Sequence, residues 1–239
     1  MEQEDVKVKK KPNKIRIAVL LIILIVLVIA VVYFLNIGGV RVRMQADSQA
    51  EIPTQNVSSD SHILITYFAV AENSEVDAMS SASVTVADRV AKGRIRALAD
   101  MIQEHSGGDL YSIQTSTKYP GNIGKVIDFA QEEQDNNARP ELTTQIENLE
   151  KYDVIFVGFP TWWYDLPQVM YSFFDEYDFS GKMIIPFNSA NGSQFSGTIG
   201  TVKELEPNAT VIENGLSVHE RDIADAKSDV DDWLNGLGY

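Results

Sequence analysis

The sequence predicts an α/β fold in which helices cover both faces of a doubly wound parallel sheet. Two observations carry this prediction. Short apolar segments alternate with amphipathic segments five times along the chain after residue 61. One short segment, DVIFVGF at 153–159, is apolar at every position after Asp153, as a parallel strand buried on both faces requires. Right-handed crossovers then leave few possible topologies.

The individual elements follow from apolar periodicity and from turn residues at their ends. The predicted strands are 62–68, 110–114, 153–159, 183–187 and 210–213. The predicted helices are 87–105, 123–134, 167–174, 195–205 and 223–234. The first helix places Ala91, Ile95, Leu98 and Ile102 on one face. Pro167 suits the first turn of the third helix.

The chain begins with features of a membrane anchor. Residues 1–16 carry six basic side chains, and residues 17–35 are uncharged and apolar. Such a run spans about 28 Å as a helix, close to the thickness of the hydrocarbon core. We predict a cytoplasmic basic segment at 1–16, a transmembrane helix at 17–37, a flexible linker at 38–61 and an extracytoplasmic domain at 62–239. A cleaved signal peptide is the alternative.

Charge and composition exclude several function classes. Residues 44–239 carry a net charge of −19, which disfavours nucleic acid and favours a basic protein partner. The chain has no cysteine, and its three histidines lack the spacing of a helical metal site. It contains neither the G-x-S-x-G nor the G-x-x-x-x-G-K-[ST] motif. We therefore predict no metal ligand and no catalytic side chain.

Two loops at the carboxyl ends of predicted strands carry candidate binding residues. Trp162, Trp163 and Tyr164 are consecutive aromatics after the third strand, and indole faces can stack on a planar heterocycle. The loop at 188–198 follows the fourth strand and is rich in small residues that expose main-chain N–H groups. The alternatives are that the aromatics cap the core and that the second loop is a polar turn.

These segments resemble those of a known protein family. Residues 63–239, about three quarters of the chain, resemble the flavodoxin-like proteins that bind flavin mononucleotide (FMN), in particular the branch with a G-x-P-x-W-W loop. The matching segments are 64–68, 131–142 (QEEQDNNARPEL), 152–163, 177–187 (YDFSGKMIIPF) and the Gly/Ser loop that ends in Phe195. The resemblance implies a three-layer sandwich with five parallel strands in the order 2-1-3-4-5. It also implies non-covalently bound FMN.

The resemblance further implies a cofactor site made by three loops. At the phosphate end the expected residues are Ala69, Asn73, Ser74, Gly93 and Arg94. Around the flavin ring they are Pro160, Thr161, Trp162, Trp163 and Tyr164. Along the ring edge they are Asn188, Ser189, Ala190, Gly192, Ser193 and Phe195.

The sequence departs from the family pattern in two of these loops. The segment AVAE at 69–72 lacks the usual hydroxyls, and Glu72 places a negative charge where a phosphate is expected. Arg94 offers a charge-assisted donor to a phosphate, or else forms an ordinary surface ion pair. In the last loop Ala190 stands where relatives carry histidine, and Gln194 stands where they carry glycine.

Two functions follow as expectations. The first is electron transfer through bound FMN by a membrane-tethered domain, with a flavin-dependent oxidoreductase as its enzymatic variant. The second is a degenerate flavodoxin fold without FMN that serves as an extracytoplasmic binding or structural module.

Overall fold

A computed structural model of the chain describes residues 62–77, 79–87 and 90–239. The predicted basic segment, membrane span and linker therefore lie outside the described residues. Among the residues described, no helix combines the length and the apolar character needed to cross a bilayer.

The centre of the domain is a six-stranded sheet whose neighbouring strands all pair in parallel. The strands of the described chain are β1 (Ile63–Tyr67), β2 (Val84–Ala87), β3 (Val90–Gly93), β4 (Asp109–Ser112), β5 (Val154–Pro160), β6 (Met183–Ala190), β7 (Thr210–Val211) and β8 (Leu216–His219). The sheet runs β4-β1-β5-β6-β7, and β8 also pairs with β6. The prediction of five strands is therefore not matched in full.

The sixth strand arises because the last edge of the sheet is broken. Met183 and Ile184 of β6 pair with β7, whereas the other end of β6, from Phe187 to Ala190, pairs with β8. Gly215 precedes β8, and a Cβ atom there would lie 2.5 Å from the carbonyl oxygen of Pro186. This close approach needs glycine. The predicted strand 210–213 thus corresponds to β7 alone, and β8 follows it as a strand that was not predicted.

The predicted start of the first helix, at residue 87, is wrong. Strands β2 and β3 form an antiparallel hairpin, and the helix begins only at Arg94. The hairpin is rich in β-branched residues, which fit a pleated strand better than a helix. Its end is fixed by Gly93, where a Cβ atom would lie 2.8 Å from Cβ of Ala69.

Five helices cover the sheet and complete two separate cores. They are α1 (Arg94–Ser106), α2 (Ile123–Asp135), α3 (Gln168–Glu176), α4 (Thr198–Leu205) and α5 (Lys227–Leu237). Alternate residues of β5 face opposite sides: Ile155 and Val157 belong to the core under α2, α3 and α4, and Val154 and Phe156 to the core under α1 and α5. The helices therefore form a layer on each face of the sheet, as predicted for a doubly wound fold.

Candidate functional site

A cavity of about 450 Å³ opens at the carboxyl ends of β1, β5 and β6. This is where ligands bind in doubly wound sheets, and the volume falls within the usual range for small-molecule sites. The cavity is lined by Phe68, Ala69, Val70, Ser83, Arg94, Ile95, Ile123, Val126, Ile127, Ala130, Pro160, Thr161, Trp162, Trp163, Tyr164, Ser189, Ala190, Asn191, Ser193 and Glu220. Ten of the sixteen residues expected from the sequence are among them.

One wall of the cavity is a tight aromatic turn. Trp162 and Asp165 exchange two main-chain hydrogen bonds, of 3.0 and 2.8 Å, across the pair Trp163 and Tyr164. Both central residues have positive φ, 47° and 66°, as in a type I′ turn. The left-handed region costs a residue with a side chain about 1–2 kcal/mol. The fold therefore holds two large aromatics in a conformation that glycine or asparagine would adopt more easily.

The three aromatics of this turn have different environments. The ring of Trp162 packs edge-on against Phe68 and Tyr119, with both centroid distances 5.7 Å, and so belongs partly to the core. Trp163 and Tyr164 remain 46% and 72% exposed. The expectation that the aromatics cap the core thus fits Trp162, whereas the other two present open faces at the cavity.

A second apolar wall of the cavity comes from α2 and was not predicted from the sequence. Val126 and Ala130 are buried, but Ile123 and Ile127 are 52% and 46% exposed at the cavity. The available signal was a second apolar pair at i, i+4 on this helix, beyond the pair that the core needs. The indole Nε1–H of Trp163 donates to the carbonyl oxygen of Ile127 at 3.1 Å and joins the two walls.

In the loop after β1, the carboxylate of Glu72 does not lie where the sequence predicted it. Ala69 and Val70 line the cavity, but Glu72 does not. The carboxylate of Glu72 accepts a hydrogen bond from the Tyr67 hydroxyl at 3.1 Å and lies 3.5 Å from Nη1 of Arg96. Burial and the charge of Glu72 raise the pKa of Tyr67 to about 12, so its hydroxyl keeps the proton at neutral pH. The expected repulsion between Glu72 and a phosphate is therefore not supported by the geometry.

A different acid, Glu220, stands at this end of the cavity. Nη1 of Arg94 lies 2.5 Å from Oε2 of Glu220, and both side chains line the cavity. Glu220 follows β8, a strand that the sequence did not reveal, so no local signal placed it here. The sequence left two roles for Arg94, a donor to a phosphate or a partner in an ion pair. The structure shows the ion pair, at the cavity wall.

Three expected phosphate-end residues lie outside the cavity and support it from behind. Asn73 is fully buried, and its amide nitrogen donates to the carbonyl oxygens of Ala69 and Ile113. The hydroxyl of Ser74 donates to the carbonyl oxygen of Tyr119 at 3.1 Å. Gly93 packs against Ala69, as described above. These residues fix the loop after β1 rather than face a ligand.

The end of β6 and the loop after it contribute the expected residues Ser189, Ala190 and Ser193 to the cavity, and also Asn191, which was not among the expected site residues. The expected members Asn188, Gly192 and Phe195 of this segment lie outside the cavity lining. Asn188 is fully buried, and its amide nitrogen donates to Oγ1 of Thr161 at 2.6 Å and to the carbonyl oxygen of Gln194 at 2.9 Å. Asn188 therefore holds the two cavity loops together.

Phe195 packs on the core, with its ring centroid 6.3 Å from that of Phe159. Gly192, with φ of 87°, allows the reversal of the loop. Thr161, which does line the cavity, donates its main-chain N–H to the carbonyl oxygen of Ser189 at 3.1 Å. The loops after β5 and β6 are thus linked by main-chain as well as side-chain hydrogen bonds.

The doubly wound sheet and the cavity at its carboxyl edge define a flavodoxin-like α/β protein. The sequence model of the family described as Flavodoxin matches residues 83–237, and the chain belongs to this family.

Individual relatives are more distant. Flavodoxin 1 of Shigella flexneri is 32% identical over 76 residues, and that of Escherichia coli is 32% identical over 75. These alignments cover 28% of this chain and 43% of either relative, so the chain spans less than half the length of the curated relatives it matches.

Solved structures share the fold over most of the domain. A protein described as a flavoprotein from Bacteroides uniformis has a TM-score of 0.57 at 22% identity, and the match covers 73% of this chain and 98% of that one. A Lactobacillus acidophilus flavoprotein in complex with FMN has a TM-score of 0.51 at 18% identity, covering 73% of this chain and 99% of that one. At these identities the similarity concerns the fold alone.

Proposed function

We propose that this protein binds FMN non-covalently and transfers electrons as a membrane-tethered flavodoxin. The observation that carries the proposal is the cavity at the carboxyl ends of β1, β5 and β6, whose lining includes the exposed side chains of Trp163, Tyr164, Ile123 and Ile127. Two apolar walls at a switch-point edge suit a flat, polarisable ring.

The residues present fit such a group in shape and donor chemistry. The segment 189–193 supplies main-chain groups beside Thr161, which suits the polar edge of the ring. The start of α1, with Arg94, lies at the end where a phosphate is expected. When bound, FMN supplies the redox chemistry, while this chain orients the ring and shields it from water.

Membrane tethering and an electron-transfer role rest on the amino-acid sequence rather than on the geometry of the cavity. The apolar run within 17–37 supports the tether, and the basic side chains before it support an extracytoplasmic domain. The net charge of −19 over 44–239 supports docking of a basic redox partner.

A second candidate function is a binding or structural module that has lost FMN. The Arg94–Glu220 ion pair favours it, since the cation expected at the phosphate is already neutralised. The absence of hydroxyls at 69–72 favours it as well.

Titration of the full chain with FMN in a mild detergent separates the two candidates. Saturable quenching of flavin fluorescence at micromolar FMN or below, weakened at least tenfold by Trp163→Ala, supports the flavodoxin. Trp233→Ala is the matched control, because Trp233 packs against Phe156 and does not line the cavity. No binding at hundreds of micromolar FMN would favour the module without a flavin.

A further inference from the structure

We infer that Glu220 is a specificity-determining residue that competes with a ligand phosphate for Arg94. The cavity then selects flavins by their ring and discriminates little between FMN and the phosphate-free riboflavin. This inference rests on the proposed function, because it concerns the same cavity.

The first step of the argument is the charge of the cavity wall. Among the described residues that line the cavity, Arg94 and Glu220 are the only Asp, Glu, Lys or Arg. Their side chains are 24% and 27% exposed, and Nη1 of Arg94 lies 2.5 Å from Oε2 of Glu220. At this separation and burial the two charges interact more strongly than exposed charges do in water. The lining residues therefore offer a ligand no net positive charge.

The neighbouring cations do not replace Arg94. Nζ of Lys92 lies 2.7 Å from one oxygen of Asp100, and Nε of Arg96 lies 2.6 Å from the other. Arg96 also faces Glu72. Both of these cations therefore pair with acids other than Glu220, and neither is among the residues that line the cavity. A phosphate at this end must compete with Glu220 for Arg94.

The first main-chain donor of α1 is also occupied. In many phosphate sites the free N–H groups at a helix N-terminus hold the anion. Here the N–H of Arg94 donates to the carbonyl oxygen of Ser83 at 2.8 Å, and Ser83 adopts φ of 58° at the cavity wall. Ala69 and Val70 add no side-chain hydroxyl at this end, where Ser83 carries one.

FMN and riboflavin interact differently with Arg94 and Glu220. The phosphate of FMN brings up to two negative charges towards the carboxylate of Glu220, and it gains Arg94 only by separating an existing pair. The terminal hydroxyl of riboflavin leaves that pair intact. Contacts with the ring are the same for both ligands, so the difference in affinity isolates the phosphate end.

The test measures dissociation constants of FMN and riboflavin for the full chain in detergent at one fixed salt concentration. We expect the two constants of the unaltered protein to agree within about threefold. Glu220→Gln frees Arg94 and keeps the side-chain shape, so it should tighten FMN about tenfold and change riboflavin less than twofold. Adding Arg94→Gln to that variant should abolish the gain for FMN.

Glu213→Gln is the matched control. It makes the same change in net charge, but Glu213 pairs with Lys203 on the surface and does not line the cavity. It should leave both constants unchanged. Circular dichroism verifies that each variant is folded.

The outcomes separate the two proposals. If FMN binds a hundredfold tighter than riboflavin and Glu220→Gln does not improve it, the inference about Glu220 fails while the flavin site stands. If neither flavin binds to the protein or to any variant, both proposals fail.

Discussion

The indole N–H of Trp163 donates a hydrogen bond of 3.1 Å to the carbonyl oxygen of Ile127, and both residues line the cavity. This bond connects the aromatic turn after β5 to α2, so it fixes the two apolar walls relative to each other. A comparable bond, from the indole of Trp233 to the carbonyl oxygen of Asn214 at 2.8 Å, lies away from the cavity. The two tryptophans therefore provide a matched pair for mutagenesis.

Trp163→Phe should lower the affinity for FMN by about three- to tenfold, because it keeps an aromatic ring but loses a hydrogen bond worth about 0.5–1.5 kcal/mol. Trp233→Phe loses the equivalent bond and should leave the affinity within twofold. Flavin fluorescence titrations measure both. Equal losses in the two variants would contradict a role for the Trp163–Ile127 bond in shaping the site.

Tyr164→Gly should stabilise the fold and weaken flavin binding at the same time. Tyr164 has φ of 66° and is largely exposed, so glycine relieves left-handed strain with little loss of packing. After the entropic cost of glycine we expect a gain of about 0.5–1 kcal/mol in the free energy of unfolding, measured in urea. Asn148→Gly, at φ of 57° and outside the cavity, is the control that should not alter flavin affinity. A loss of stability in Tyr164→Gly would show that packing of the Tyr164 ring stabilises the fold by more than its left-handed backbone conformation costs.

Glu133→Gln should make the protein more stable near neutral pH. Burial raises the pKa of Glu133 to about 7, and the Tyr119 hydroxyl, which donates to it at 3.2 Å, offsets part of that rise. The folded state then holds the proton more tightly than the unfolded chain does. Stability from this group is therefore present below about pH 4.5 and decreases as pH rises to about 7.

Replacing Glu133 by glutamine removes this penalty, which is on the order of 2 kcal/mol above pH 7. Urea unfolding at pH 5 and pH 8 should show a larger gain at pH 8. Glu132→Gln, on the exposed side of α2, should show no such dependence on pH. A gain that is the same at both pH values would mean that Glu133 is ionised in the folded protein throughout.

Gly158→Ala should destabilise the sheet directly beneath the cavity. Gly158 of β5 pairs with Phe187 of β6, and a Cβ atom on Gly158 would lie 2.2 Å from Cζ of that ring. Such overpacking costs about 1–3 kcal/mol or more, because the buried ring has little room to move. Phe187→Leu in the same chain should recover part of the loss.

The control for this substitution is Gly236→Ala. Gly236 lies within α5, and nothing is within 4 Å of its added Cβ atom. That change should stabilise the protein by up to about 1 kcal/mol, since alanine favours helix more than glycine does. Chemical denaturation measures both, and a neutral Gly158→Ala would mean that β5 and β6 can separate locally.

Local sequence patterns were sufficient to predict a strand where burial on both faces of the sheet requires apolar residues. The predicted strand 153–159 differs from β5 by one residue at each end, since the six consecutive apolar residues after Asp153 are typical of a strand buried on both faces. The segment 87–93 was wrongly assigned to the first helix because its apolar spacing continues that of α1. The helix begins only at Arg94, because Gly93 closely approaches Ala69 and the main-chain N–H of Arg94 donates to the carbonyl oxygen of Ser83.

The site was predictable only within single loops. Trp162, Trp163 and Tyr164 stand out in the sequence because three adjacent aromatics are rare after a buried strand. Glu220 does not stand out in the sequence. It reaches Arg94 only because β8 pairs with β6 in the folded domain. The sequence also placed Glu72 in the cavity, since it could not show that Tyr67 and Arg96 draw its side chain away.

The ion pair at the cavity has a consequence for synthesis of the chain on the ribosome. Arg94 and Glu220 are separated by 126 residues. At the usual elongation rate of about 5–20 residues per second, Glu220 is added roughly 6–25 s after Arg94. For that interval the nascent domain carries a guanidinium with no Glu220 to oppose it. The electrostatic character of the cavity is therefore set only after the strands that precede β8 have been translated.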